Sequence, residues 1–278
     1  MQSCKLLAYD RGMYIHLPVV DMREGPSRAS KVVSQALFGE RIQLQERMAD
    51  WDLIVTPDGY TGWIQLGAWV MREGVYPKDL EVTRLSAHIY SSPDTEYGPL
   101  LTLPYGSPLQ LISSDLRWHQ VCLPNGQIAF VQKGDVVPES FDLISFTKKF
   151  LGLPYTWGGR SSFGFDCSGF VQMVYGRMGI LLPRDAREQI LTGQETEVPT
   201  LGDLIFWGKS KQDIRHVGIC LGGTQFIHAS ARENRPYLRV SQLTDEAWSG
   251  DDCYPYRASI QKKSMAAAIL APMSMKIR

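Results

Sequence analysis

The sequence predicts a multidomain chain in which two small all-β barrels precede an α+β domain. Three observations carry this reading. Residues 19–70 and 81–137 repeat one another in pattern. At Phe141 short alternating strands give way to a helix pattern. A cysteine then falls at the start of a second helix, ahead of three short strands that hold two histidines.

Each repeat opens with an apolar strand and a turn, MREGPS at residues 22–27 and YSSPD at residues 90–94. Each continues through a glycine kink between strands, LFGERIQLQE and LPYGSPLQLI, to a tryptophan, Trp51 or Trp118. Each closes on a turn and strand, PDGYTGWIQ or PNGQIAFVQ. Short alternating apolar runs broken by Asp-Gly and Asn-Gly signal hairpins, and an internal repeat of such a pattern signals a repeated small barrel. The expected domains are 1–75 and 76–138 for the barrels, 139–260 for the α+β domain, and 261–278 for a tail.

Composition narrows the function classes. The 278 residues carry 29 basic and 29 acidic side chains, so no charge surplus points to nucleic acid or an anionic membrane. No apolar run approaches the ~18–20 residues of a membrane span. The first twenty residues carry Asp10, Arg11 and His16 and lack a compact apolar run before a small-residue cleavage site, so no signal peptide is expected. A cytoplasmic location is the expectation, with the periplasm or cell envelope as the alternative. The expected state is a monomer. Five scattered cysteines, without a C-x-x-C pair, argue against a disulfide framework or a structural zinc site, and no cofactor is expected.

In the α+β domain, Ile144, Phe146, Phe150 and Leu151 give a short helix that Pro154 ends. The loop YTWGGRSSFGF follows. Phe170, Val174 and Met178 then recur at helical spacing with Val171 alongside, Asp166 stands at the N-cap and Gly179 just past the end. GDLIFW, RHVGICLG and TQFIHAS read as three short strands. Helices followed by antiparallel strands make an α+β domain.

Cys167 lies in the first turn of the second helix, where unpaired amides and the helix dipole favour a negative charge. That position is expected to lower the thiol pKa. A thiol nucleophile needs a base and an orienting partner, and His216 and His228 are the histidines downstream. With a three-residue loop 222–224, Gly218 faces His228, and both histidines point to one side of the sheet as diagonal neighbours. A two-residue loop reverses the parity, so the pairing requires an odd-length turn or a bulge.

PYTWGG, FDCSGFVQ, LPRDAREQ, GDLIFW, RHVGI and FIHAS occur in this order over about 120 residues. Together they resemble the NlpC-type cell-wall cysteine peptidases with a papain-like core. The repeats ahead of them resemble tandem bacterial SH3-like domains. The resemblance implies a triad of Cys167, His216 and His228, in which His216 is the base and His228 the orienter. It implies hydrolysis of the γ-D-glutamyl-diaminopimelate bond in peptidoglycan stem peptides that begin with a free L-Ala. It places Asp166 and Ser168 at the free amine, with Trp157 and Tyr155 as pocket walls. It also matches Glu40 and Tyr76, with Tyr60 in competition, to positions where the first barrel closes the site. Arg184 and Asp185 match LPRD, either touching substrate or bracing the core. Three alternatives stay open: a catalytically silent wall-peptide binder, an acyl-transfer or amidase enzyme on the same thiol core, and a zinc site of Cys167, His216, Cys220 and His228.

Overall fold

The computed structural model describes residues 11–249 and, as a backbone strand, 256–259. The tail 261–278, Cys4 and Cys253 lie outside the described residues. The chain divides into two compact units, Met1–Glu139 and Ser140–Arg278.

The N-terminal unit holds both barrels. The first comprises β1 (Arg11–Ile15), β2 (Val19–Arg23), β3 (Val32–Leu37), β4 (Arg41–Met48), β5 (Trp51–Val55), β6 (Thr61–Gln65) and β7 (Trp69–Glu73). Its sheet order is β3-β2-β6-β5-β4-β1-β7, around Ile15, Met22, Ala36, Ile54 and Ile64. The second comprises β8 (Leu80–Glu81), β9 (Ser86–Tyr90), β10 (Leu101–Pro104), β11 (Pro108–Ser114), β12 (Trp118–Cys122) and β13 (Ile128–Gln132), in the order β10-β9-β13-β12-β11-β8.

The sequence repeat is a repeat of register. Trp51 pairs with Gln65 and Trp118 with Gln132. Both hairpins close on the same turn: the Gly59 amide donates to Thr56 O and the Gly126 amide to Leu123 O, each at 2.9 Å. Both glycines sit near φ +80°, the left-handed region that this turn requires. The barrels also share apolar packing. Phe38, from the first, is 1% exposed within the core of the second, among Val82, Leu103, Leu109 and Val131.

The C-terminal unit begins with α1 (Leu143–Lys148), capped by Asp142, whose carboxylate accepts from the Ser145 amide at 2.9 Å. The short ribbon β14 (Arg160–Ser161) and β15 (Gly164–Phe165) leads into α2 (Cys167–Arg177). After α3 (Ala186–Gln189) come β16 (Gln194–Glu195), β17 (Leu204–Gly208), β18 (Ile214–Gly222), β19 (Gln225–Ser230), β20 (Tyr237–Gln242), α4 (Glu246–Ser249) and β21 (Tyr256–Ser259). The sheet order is β16-β21-β17-β18-β19-β20, and α2 packs on β18 and β19. Its apolar stripe of Phe170, Val171, Val174 and Tyr175 is fully buried. Sequence periodicity found β17 to β19 but not β16, β20 or β21.

A two-bond glycine cap ends α2. The Gly179 amide donates to Gly176 O and the Ile180 amide to Tyr175 O, with Gly179 at φ +77°. A side chain there meets the left-handed penalty. Gly179→Ala is expected to destabilise the C-terminal unit by about 1 kcal/mol, read as a lower urea midpoint at unchanged slope. An unchanged midpoint contradicts the assignment.

Candidate active site

Asp166, the N-cap of α2, stands at the centre of a buried polar cluster. Its carboxylate accepts from the Gly169 amide at 2.7 Å, the Gly158 amide at 3.0 Å and the Ser168 hydroxyl at 3.2 Å. The Arg184 guanidinium adds two bonds, at 3.1 and 2.6 Å, and also donates to Ser168 Oγ at 2.8 Å. Arg184 is 2% exposed. A carboxylate offers about four lone-pair sites, so five bonds commit Asp166 fully. It caps the helix, fixes the glycine loop and neutralises Arg184. Both residues that the sequence places beside a peptide amine, Asp166 and Ser168, thus have partners within the fold. Of the two roles open for Arg184 in the sequence, the structure displays the bracing one.

Cys167 begins α2 and is 8% exposed. The amides of Val217 and Ser168 direct hydrogen bonds at its sulfur, which sets the thiol against β18. Those amides draw the pKa down, but burial, followed by the Asp166 charge, outweighs them and pushes the thiol up to about 12. The expected lowering is therefore reversed in the resting site, because a helix N-terminus acts on a thiolate that desolvation opposes more strongly.

The histidines meet as the parity argument requires. Ile219 pairs with Ile227 and Cys220 with Phe226; a bulge follows, and Gly222 pairs with Gln225. The loop is thus only two residues long, and the bulge at Leu221 restores the parity that it would reverse. Gly218 leaves room for the facing ring: a Cβ there would lie 3.2 Å from the His228 Cβ.

His216 Nε2 lies 2.8 Å from His228 Nδ1, and His228 Nε2 lies 3.0 Å from Ser241 Oγ. If the Ser241 oxygen accepts from His228 Nε2–H, then His228 Nδ1 is a lone pair that accepts from His216 Nε2–H. His216 Nδ1 is then the basic nitrogen, the tautomer that a thiol partner needs. His216 stacks on Trp248 at 4.9 Å between centroids, and Trp248 meets His228 edge-on at 4.7 Å. Burial, with the Arg232 and Arg239 charges, pushes His216 down to about 3. Burial, followed by His216 and the same two arginines, pushes His228 in the same direction.

Beside His216 opens a cleft of about 400 Å³, lined by Trp207, Lys209, Arg215, Arg232 and Trp248 among others. Trp157 is 68% exposed on the loop before α2. The half-buried Tyr155 is close enough for Cys167 and Asp166, after burial, to raise its phenol pKa. Among the described residues, no group of three or more His, Cys, Asp or Glu side chains is placed to hold a metal. Cys220 is fully buried among Ile205, Trp207, Phe226 and Trp248.

Residues 152–254 match the NlpC/P60 family model, and residues 18–70 match the bacterial SH3 domain model. A gamma-D-glutamyl-L-lysine dipeptidyl-peptidase of Bacillus cereus is 34% identical over 233 residues, covering 74% of this chain and 70% of the relative. The chain belongs to the NlpC/P60 family. A protein of the same name from Bacillus subtilis is 30% identical, over 84% of this chain and 83% of its own. The crystal structure of an NlpC/P60 family protein from Bacillus cereus superposes with a TM-score of 0.76 at 26% identity, covering 90% of this chain and 99% of that one. The chain is thus a cysteine peptidase of the NlpC/P60 family with bacterial SH3-like barrels ahead of the peptidase domain.

Two further predicted site residues lie in the N-terminal unit. Tyr76 is 6% exposed, and its hydroxyl donates to Cys122 O at 2.9 Å, where the barrels meet. Within the N-terminal unit, its hydroxyl thus joins the two barrels. Glu40 is half-buried, and its carboxylate accepts from the Leu37 amide at 2.8 Å, bracing its own turn. In the NlpC/P60 core, sequence reasoning missed Ser241 and Trp248. Both reach the histidines across β20 and α4, elements that no motif in the sequence announced.

A histidine held neutral in the fold makes stability depend on acid. Unfolded, His216 titrates near 6.5; folded, near 3. Between these values the unfolded chain binds the extra proton, so stability is complete above about pH 6.5 and is lost as pH falls. By pH 4.5 the His216 contribution lost is about 2–3 kcal/mol, and His228 acts in the same direction. Urea unfolding at pH 7 and pH 4.5 is expected to show a steeper acid loss in the native protein than in His216→Asn/His228→Asn. Equal slopes contradict a neutral, desolvated pair.

Proposed function

We propose that this chain hydrolyses the amide between γ-D-glutamate and the diamino acid of wall-derived peptides that carry a free N-terminal L-Ala. The observation that carries the reading is the hydrogen-bonded line of Ser241, His228 and His216, together with the bond from the Val217 amide, next in sequence to His216, to the Cys167 sulfur. His216 Nδ1 takes the thiol proton as sulfur attacks the γ-carbonyl carbon. A backbone amide at the start of α2 stabilises the oxyanion. The C–N bond breaks, His216 gives its proton to the leaving amine, and a thioester remains on Cys167. Water then attacks with its proton passing to His216, the acid is released, and the thiol is restored.

The choice of bond draws on relatives named gamma-D-glutamyl-L-lysine dipeptidyl-peptidases. A dipeptidyl-peptidase counts from a free amine. With Asp166 engaged by Arg184, that ammonium meets the Trp157 face and the Tyr155 hydroxyl, a cation–π and hydrogen-bond pair. Mass spectrometry of products from L-Ala-γ-D-Glu-diaminopimelate should give L-Ala-D-Glu and the diamino acid. The N-acetylated peptide should react slower by roughly a hundredfold, the equivalent of ~3 kcal/mol. Equal rates would recast the enzyme as one that cuts acylated peptides.

The roles of the three side chains differ in severity. Cys167→Ala is expected to abolish turnover with an unchanged circular dichroism spectrum. His216→Ala should lower kcat by about 10²–10⁴, and His228→Ala by roughly tenfold less, since an orienter is partly replaced by packing. Steady-state kinetics with the two histidine variants in reverse order would exchange their assignments.

A further inference from the structure

We infer that Arg239, on β20, is a positioning residue for the histidine pair: it holds the turn between β19 and β20, and that turn seats Arg232 against Trp248, the indole that packs on both rings. This rests on the histidine roles proposed above. Arg239 faces His228 in the register of β19 and β20, so both side chains leave the sheet on the same side. It is 6% exposed, and its guanidinium reaches back into the turn. Nη1 donates to Ser230 O at 3.1 Å and to Arg235 O at 2.8 Å. Nη2 donates to Arg232 O at 3.3 Å and to the Glu233 carboxylate at 2.9 Å. Three backbone carbonyls and one carboxylate of a single turn thus converge on one planar cation.

The turn works against its own backbone. Glu233 and Asn234 stand in succession in the left-handed region, at φ 63° and 56°, where a side chain is disfavoured. The bonds from Arg239 offset that strain and fix the path of the chain on either side of it. What the path delivers is Arg232. Its guanidinium donates to Ala247 O and lies 4.9 Å from the Trp248 ring centroid. The indole so held stacks on His216 at 4.9 Å between centroids and meets His228 edge-on at 4.7 Å. The bonds of Arg239 go to the turn and not to a reacting atom, so its hold on the imidazoles passes through Arg232 and Trp248. Its charge makes a second contribution that a variant can separate, since, after burial, Arg232 and Arg239 both disfavour protonation of His216. Lysine keeps that charge and loses the planar fork, whereas methionine loses both.

The test compares the native protein, Arg239→Lys and Arg239→Met on L-Ala-γ-D-Glu-diaminopimelate, with each rate taken per folded molecule. Both variants are expected to lose kcat by about tenfold with KM within about threefold, because what moves is the base. The acid limb of the kcat/KM profile should shift to higher pH in Arg239→Met and stay near its native place in Arg239→Lys, a split that loss of packing alone does not produce. Glu233→Gln, at an exposed position, leaves Arg239 in place and should lower kcat by about threefold; it carries the test if the Arg239 variants do not fold. An unchanged kcat, a loss confined to KM, or one acid limb shared by both Arg239 variants overturns the assignment. Two readouts without substrate separate this from failure of the proposed hydrolysis. Trypsin should cut after Arg232 about tenfold faster in Arg239→Met than in the native protein, as the turn opens. On a Cys167→Ala background, NMR should show the His216 ring titrating at higher pH in Arg239→Met. If no peptide is cut yet both changes occur, the hydrolysis falls and the positioning role stands; if either change is missing, the positioning role falls whatever the peptide does.

Discussion

The hydrogen bonds that converge on the Asp166 carboxylate tie the glycine-rich loop, the first turn of α2 and the buried Arg184 to one point. Each partner answers a separate need. The Gly169 amide is a donor that the helix leaves unpaired, the Gly158 amide fixes the loop, and Arg184 requires a counter-charge because it is almost wholly out of water. Removing one member of such a pair leaves an uncompensated buried charge, at a cost of about 3–5 kcal/mol. The position of Cys167 is thus inherited from its neighbour: the residue that starts the helix is held where the cap holds it.

Around that fixed point the site is dry. The indole of Trp248, stacked on one histidine and edge-on to the other, excludes water from the pair. Desolvation raises the thiol and lowers both imidazoles, so the resting groups are neutral, and in the proposed reaction thiolate and imidazolium arise together. With Ser241 accepting from its Nε2–H, neutral His228 keeps an Nδ1 lone pair that accepts from a cationic His216 in that state. Orientation in the proposed triad therefore comes from a chain of lone pairs, where other thiol peptidases use an amide or a carboxylate.

Much of this was legible in the residues. The Asp166 cap, the Gly179 stop and the apolar stripe of α2 are local effects, written within a few positions of where they act. The hairpin parity was legible as a condition: the histidines share a face only if an extra residue intervenes, and Leu221 is that residue. Ser241 and Trp248 were not legible. They depend on the register of β20 against β19, where His228 faces Arg239. The turn before that strand places Glu233 and Asn234 in the left-handed region, which no local pattern signalled. The commitment of Tyr76 to the seam between barrels was hidden for the same reason. Its partner, Cys122, lies 46 positions away, and only the tertiary fold brings them together.

The Phe38 ring, inserted from the first barrel into the core of the second, bears on heredity as well as packing. A barrel is usually pictured as a bead that recombination can move between proteins. Here a crossover at residue 75 would strand an aromatic ring in water on one product and open a hole among Val82, Leu103 and Leu109 on the other. The smallest piece of this half that can be exchanged without injury is the pair. A lineage that gained one barrel as a duplicate and then let Phe38 grow into its neighbour would have lost the freedom to trade either one.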